Sequence, residues 1–160
     1  RAKKKVSVTA NGGKKILVSG CPMAVPNWKL PFLVESSRAA IVAEESCVGE
    51  RNTRNNVPEE AAGLDRMMDS IVDRYLKIDC ACFTPNRERM EHIVEMAKAS
   101  KADGVIHYSL QFCTPYLVET KKAADACRAA GIPFLAVETD YSEGDSEQLK
   151  TRIQAFIETL

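Results

Sequence analysis

Apolar residues along this chain alternate between short dense runs and longer stretches with helical spacing. Ile16-Leu17-Val18-Ser19-Gly20 is a compact apolar run closed by Gly20-Cys21-Pro22, and it reads as a buried parallel strand. Ile41-Val42-Ala43-Glu44, Val105 to Leu110 and Phe134 to Glu138 repeat this signature and predict three more strands. Between them the period changes. A short helix is expected from about Pro31 to Ala39 with Phe32 and Leu33 inward, and a longer one from Leu64 to Leu76 through Met67, Met68, Ile71, Val72 and Tyr75. Another is predicted from Pro85 to Ala99, with Met90, Ile93, Val94 and Ala97 buried and Arg87, Arg89, Glu91 and Lys98 facing solvent.

Punctuation supports these bounds. Thr84 and Thr114 are each followed by proline, a pairing expected to cap and start a helix. The helix from Tyr116 to Ala130 should close at Gly131, with Pro133 just beyond. Asp145 with Gln148 predicts a capping box for a last helix that buries Leu149, Ile153, Phe156, Ile157 and Leu160. The Asn- and Arg-rich stretch from Arg51 to Pro58 reads as an irregular loop, and residues 1 to 14 read as a basic arm or linker before a single domain over residues 15–160. Strands alternating with helices give an α/β class. The expected architecture is a Rossmann-like, flavodoxin-like three-layer domain with a mostly parallel sheet of four or five strands.

Composition narrows the functions. Lysine plus arginine and aspartate plus glutamate both number 22, so the overall charge gives no argument for a nucleic-acid partner. No apolar run approaches the roughly 20 residues of a membrane span, and no secretory pattern opens the chain, so a cytoplasmic protein is expected. Neither GxGxxG nor GxxxxGK[ST] occurs, and no Ser-His-Asp arrangement has a recognisable elbow.

The chemistry lies in six cysteines. Cys47, Cys80 and Cys113 are spaced thirty-three residues apart, and Cys82 follows Cys80 closely. That spacing matches one strand-helix unit, so each should return to the carboxyl edge of the sheet, where α/β domains bind ligands. Cys21 falls at the same edge. A convergent thiol set without two nearby histidines fits a sulfur-ligated iron cluster; zinc and plain packing both stay open on spacing alone. His92 is expected on the exposed side of its helix and His107 inside a strand. Cys127 sits among small helical residues and reads as packing, and Cys21 reads as supporting the turn. Arg51, Arg54, Arg87 and Arg89 flank the cysteine loops, where their charge could offset that of a cluster or hold an anion.

Several segments carry a family resemblance: Val18-Ser-Gly-Cys-Pro-Met23 with Asn27-Trp-Lys29, Glu45-Ser-Cys47-Val-Gly-Glu-Arg51, and Ile78-Asp-Cys80-Ala-Cys82-Phe-Thr-Pro-Asn86. To these are added Asp103-Gly-Val-Ile106 with Gln111-Phe-Cys113-Thr-Pro-Tyr116, Gly131-Ile-Pro133 leading to Glu138-Thr-Asp-Tyr141, and Gln148-Leu-Lys-Thr-Arg-Ile-Gln-Ala-Phe156. In order over residues 15–160, they resemble the C-terminal half of the 2-hydroxyacyl-CoA dehydratase and benzoyl-CoA reductase family, most closely its double-cubane cluster proteins.

The resemblance implies an iron-sulfur cluster, a four-iron cubane or half of a double cubane, held by Cys47, Cys113 and Cys80 or Cys82. It implies a low-potential reductase of small molecules, or a 2-hydroxyacyl-CoA dehydratase component, fed single electrons by an ATP-hydrolysing iron-sulfur activator protein. It further implies a homodimer in the full protein and a preceding α/β domain or partner chain with further cysteines, so that this chain is expected to be a fragment or a free-standing remnant. The alternative of another class is a non-catalytic, cysteine-rich interaction or zinc-holding domain.

Overall fold

The computed structural model describes residues 13–60, 62–83 and 85–160. Four strands, β1 (Lys14–Gly20), β2 (Ala39–Glu45), β3 (Gly104–Leu110) and β4 (Phe134–Thr139), form one parallel sheet in the order β2-β1-β3-β4. Five helices connect or flank them: α1 (Lys29–Ser36), α2 (Leu64–Leu76), α3 (Arg87–Ala99), α4 (Thr114–Ala129) and α5 (Ser146–Glu158). This is the three-layer Rossmann-like arrangement expected from the strand-helix alternation. The chain leaves β1 toward β2 on one side and later reaches β3 on the other, so the order reverses at β1, the kind of point where such sheets bind ligands.

Residue parity sorts the two faces. Ile16, Val18, Ile106 and Tyr108 point toward α1 and α5 and join Leu30, Val34, Leu149 and Ile153 in one core. Leu17, Ala43 and Val105 point the other way and meet Ile93, Met96 and Ala97 of α3 and Ala123 and Cys127 of α4. Both faces being covered explains why the strands read as continuous apolar runs. Gly104 begins β3 where α5 comes close. A Cβ there would stand 2.8 Å from Phe156 Cζ and 3.1 Å from Leu160 Cδ2. Because these are the ends of side chains that can yield, Gly104→Ala is expected to cost about 1–2 kcal/mol, read as a lower urea midpoint.

Local expectations fare unevenly. Lys14, assigned to the arm, already opens β1, and the rest of the arm through residue 12 lies outside the described residues. α1 starts and ends earlier than expected, and Phe32 is exposed while Leu30, Leu33 and Val34 carry the burial. Arg38, at φ 63°, turns the chain directly into β2. The Arg51 loop contains a short 3-10 turn, Glu50–Asn52.

Pro85 does not begin α3, which starts at Arg87 after Asn86, and Thr84 lies outside the described residues. Thr114 is already helical in α4, and Cys113 occupies the cap position. Gly131 is left-handed at φ 70°, as a helix end beside Pro133 requires. Asp145 precedes α5 but makes no side-chain cap bond. Its carboxylate instead accepts from Lys29 Nζ at 2.8 Å and Thr139 Oγ1 at 2.5 Å, which ties α1 to the end of β4. The buried lysine is a stronger competitor for that carboxylate than a backbone N–H in the first turn.

α2 has the predicted limits but buries none of its residues. Leu64, Met68, Val72 and Leu76 are all more than half exposed. No helix among the described residues is long and apolar enough to cross a membrane.

Candidate functional site

The carboxyl ends of the strands deliver the cysteines. β1 runs into Cys21, β2 into Cys47, β3 into Cys113, and the loop before α3 carries Cys80 and Cys82. Cys47 and Cys82 are exposed, Cys80 and Cys113 are half-buried, and all are free thiols. The Cys82 thiol is influenced chiefly by Cys80, and also by Cys113 and Cys47. Together they push it above the ordinary thiol range, with Cys80 the main cause. Geometry links the loops of these cysteines: Cys47 Sγ lies 3.9 Å from Tyr116 Oη, three residues after Cys113, and Arg51 stands between Cys47 and Asp79, which precedes Cys80. Cys21 is buried beneath them: its sulfur accepts the Leu110 N–H at 3.4 Å and meets Cys113, and burial pushes its thiol up to about 12. Cys127 is fully buried between α4 and the sheet, where burial pushes it up to about 11.

Among the described residues no three His, Cys, Asp or Glu side chains gather around one point as a single metal ion would require. A cluster of several irons has different needs, because each thiolate binds a different iron and the sulfurs need only surround a shared volume. Four sulfur donors on adjacent loops, with no imidazole among them, match that chemistry. The donor set therefore fits an iron-sulfur group better than one zinc ion.

Beneath the thiols lies a buried ionic network that the sequence reading did not anticipate. Arg89, read as solvent-facing, is fully buried. Its Nη2 donates to Glu45 Oε2 at 3.2 Å, its Nη1 donates to Glu119, and its guanidinium carbon lies 4.7 Å from the centre of the Tyr116 ring. Arg51, also buried, donates from Nε to Glu45 Oε1 at 3.1 Å and from Nη1 to Cys47 Sγ at 3.4 Å. The same Nε stands 3.2 Å from Asp79 Oδ1. Arg54 donates to Asp79 Oδ2 at 3.0 Å, and His92 Nδ1 is 2.6 Å from the same oxygen. His92 is therefore half-buried in the network and not on an exposed helix face, while Arg87 does face solvent.

Three guanidiniums, of Arg51, Arg54 and Arg89, face three carboxylates, of Glu45, Asp79 and Glu119, so the buried charge balances. Burial alone would raise the Asp79 carboxyl. The His92 contact and the Arg51 and Arg54 charges outweigh it and hold Asp79 below its usual range. Asn86 completes the frame, donating from Nδ2 to Glu119 Oε1 at 3.0 Å and to the Cys80 carbonyl at 2.9 Å. The network thus touches each cysteine loop: Glu45 lies two residues before Cys47, Asp79 precedes Cys80, and Tyr116 and Glu119 follow Cys113.

A second polar row crosses the sheet toward it. Ser19 Oγ donates to Glu45 Oε2 at 3.2 Å and lies 3.0 Å from His107 Nδ1. His107 Nε2 has no hydrogen-bond partner among the described residues.

Comparison with known proteins fits this site. The sequence profile of the family described as 2-hydroxyglutaryl-CoA dehydratase, D-component, matches residues 1–160. The chain is 36% identical over 147 residues to YjiM of Escherichia coli K12, provisionally named a dehydratase subunit; the match covers 91% of this chain and 37% of that protein. It is 33% identical over 149 residues to the (R)-phenyllactyl-CoA dehydratase beta subunit of Clostridium sporogenes, covering 92% and 38%. With the beta subunit of (R)-2-hydroxyglutaryl-CoA dehydratase from Acidaminococcus fermentans it shares 28% identity over 153 residues, covering 92% and 39%. The chain spans less than two fifths of the length of these relatives. On the full-length profile match and these identities, the chain belongs to the 2-hydroxyglutaryl-CoA dehydratase D-component family.

Proposed function

We propose that this chain is the cluster-holding domain of a low-potential, double-cubane-type reductase of small molecules, which takes single electrons from an ATP-hydrolysing iron-sulfur activator. The observation that carries this reading is that Cys47, Cys80, Cys82 and Cys113, four free thiols, come from three loops tied together through Tyr116, Arg51 and Asn86. When bound, the cluster would supply a one-electron redox centre. Cys47 and Cys113, with Cys80, Cys82 or both, would hold it. The protein groups around them orient the thiols through Arg51, Asn86 and Tyr116, and the buried Cys21 supports the Cys113 loop from below. The half-buried position of Cys80 and Cys113 limits water on that side.

A second reading, a 2-hydroxyacyl-CoA dehydratase component, is favoured by the printed names of the relatives. In either case the rest of the protein or a partner chain would bring further cysteines, and the whole would act as a dimer in the cytoplasm.

The test is anaerobic reconstitution of the full-length encoded protein with iron and sulfide, followed by iron and sulfide analysis and electron paramagnetic resonance. Cys47→Ser and Cys113→Ser are expected to lose most of their iron, while Cys127→Ala keeps it. Whichever of Cys80→Ser and Cys82→Ser loses iron identifies the ligand in that loop. Wild-type iron content in both Cys47→Ser and Cys113→Ser sinks the assignment, and uptake of zinc without iron favours the zinc-holding alternative. A spectrum perturbed by a 2-hydroxyacyl-CoA would favour the dehydratase.

A further inference from the structure

We propose that Arg51 is a positioning residue for the thiol site: it locks the Cys47 and Cys80 loops together before any metal arrives, and its charge then favours the reduced cluster. The second half of this proposal rests on the cluster reading above; the first does not.

The geometry is specific to a guanidinium. From one side chain, Nη1 donates to the Cys47 sulfur at 3.4 Å, Nε and Nη2 both donate to Glu45 Oε1 at the end of β2, and the same guanidinium is ion-paired with Asp79, the residue before Cys80, at 3.2 Å without a hydrogen bond to that oxygen. Glu45 and Asp79 are separated by a long loop and the exposed helix α2, so nothing local in the chain fixes one against the other. Arg51 does so directly. Its partners are themselves held, since Glu45 is gripped by Arg89 and Ser19, and Asp79 by Arg54 and His92. The planar fork fixes its donors in a rigid pattern that a lysine ammonium cannot reproduce.

Two consequences separate positioning from mere structural support. Arg51, Glu45 and Asp79 are all side chains of this chain, so the link between the loops needs no metal to form, and losing it loosens the Cys80 loop even though Arg51 is far from it in sequence. An N–H donor and a positive charge beside a ligating sulfur also stabilise the more negative, reduced form of a cluster. Removing them makes reduction harder.

The experiment uses the full-length encoded protein in two states. In the metal-free state, amide hydrogen exchange is followed by mass spectrometry in the peptide spanning residues 77–83, which contains no substitution. Arg51→Lys is expected to exchange there roughly tenfold faster than wild type, with peptides from β4 and α5 unchanged. In the iron-loaded state, Arg51→Gln is expected to show a more negative midpoint potential, and Arg51→Lys, which restores the charge, a potential returned most of the way to wild type. Wild-type exchange in residues 77–83 of Arg51→Lys overturns the proposal, and so does an unchanged potential in Arg51→Gln. Should Arg51→Gln fail to fold or load, the exchange of Arg51→Lys decides alone. If the wild-type protein takes up no iron, the cluster reading fails, and the exchange result still decides whether Arg51 locks the loops.

Discussion

Arg89→Met should destabilise the protein by about 3–5 kcal/mol, the cost typical of breaking a buried ion pair by removing one partner. Methionine nearly fills the space, so the loss is electrostatic and not a cavity. Without Arg89, Glu45 still has Arg51 and Ser19, but among the described residues Glu119 retains only the Asn86 amide. A carboxylate buried with a single neutral donor must either stay charged at high cost or take up a proton. Glu119→Gln added to Arg89→Met removes that stranded charge and should recover a substantial part of the loss. The measurement is a urea unfolding series on the two single variants, the double variant and wild type, read as a double-mutant cycle. A loss below about 1 kcal/mol for Arg89→Met would show that the network does not hold the fold.

The second large effect is a pH dependence from His107. Burial, reinforced by the positive charge of Arg89, lowers its imidazole from 6.5 to about 4. In the unfolded chain it titrates near its ordinary value, so between those two pH values the unfolded state binds more protons than the folded one. Stability is therefore full above about pH 6.5 and falls as the pH drops toward about 4, by about 3 kcal/mol in total from this group. Asp79 and Asp140, whose carboxyls are held below their usual 3.8, lose their contributions only at more acid pH. The His107 window is therefore separable. Unfolding free energies measured from pH 7.5 to pH 4 should show this slope in wild type and lose most of it in His107→Gln. An equal slope in both proteins refutes the assignment.

The sheet was legible because both its faces are covered, which leaves short, mostly apolar runs too brief for helices and most of them bounded by glycine or proline. The cysteine edge was legible at Cys47 and Cys113, which follow β2 and β3, but the even spacing is not a strand-helix repeat: among the described residues α2 and no strand lies between Cys47 and Cys80, so Cys80 reaches the edge on the loop before α3. Polar burial was harder to read. Arg89 was placed in solvent because arginine is rarely fully buried, yet it lies four residues before Ile93, on the same stripe as Met96 and Ala97. Glu119 shows the same signal, falling in register with Tyr116, Ala123 and Cys127. Each charged residue on an apolar stripe was a clue to the other.

Asp145 failed differently. Its position before α5 was correct, but the competitor for its carboxylate, Lys29, comes from a distant part of the chain that no local motif reveals. The apolar pattern of α2 likewise gave the helix without giving it a covering partner.

The buried network draws on residues from Glu45 to Glu119, with β1 and β3 beneath it, and this span orders events during folding. Among its six charges only the Glu45–Arg51 pair is local; the other pairs join residues distant in the chain. The thiol edge is therefore a late product: β2, α3, β3 and α4 must all be docked before the cysteine loops acquire fixed places. In a sheet joined by such distant pairings, docking is slow compared with helix formation. A nascent chain consequently displays its cysteines as independent thiols, open to oxidation or to stray metals, for as long as α4 is unmade.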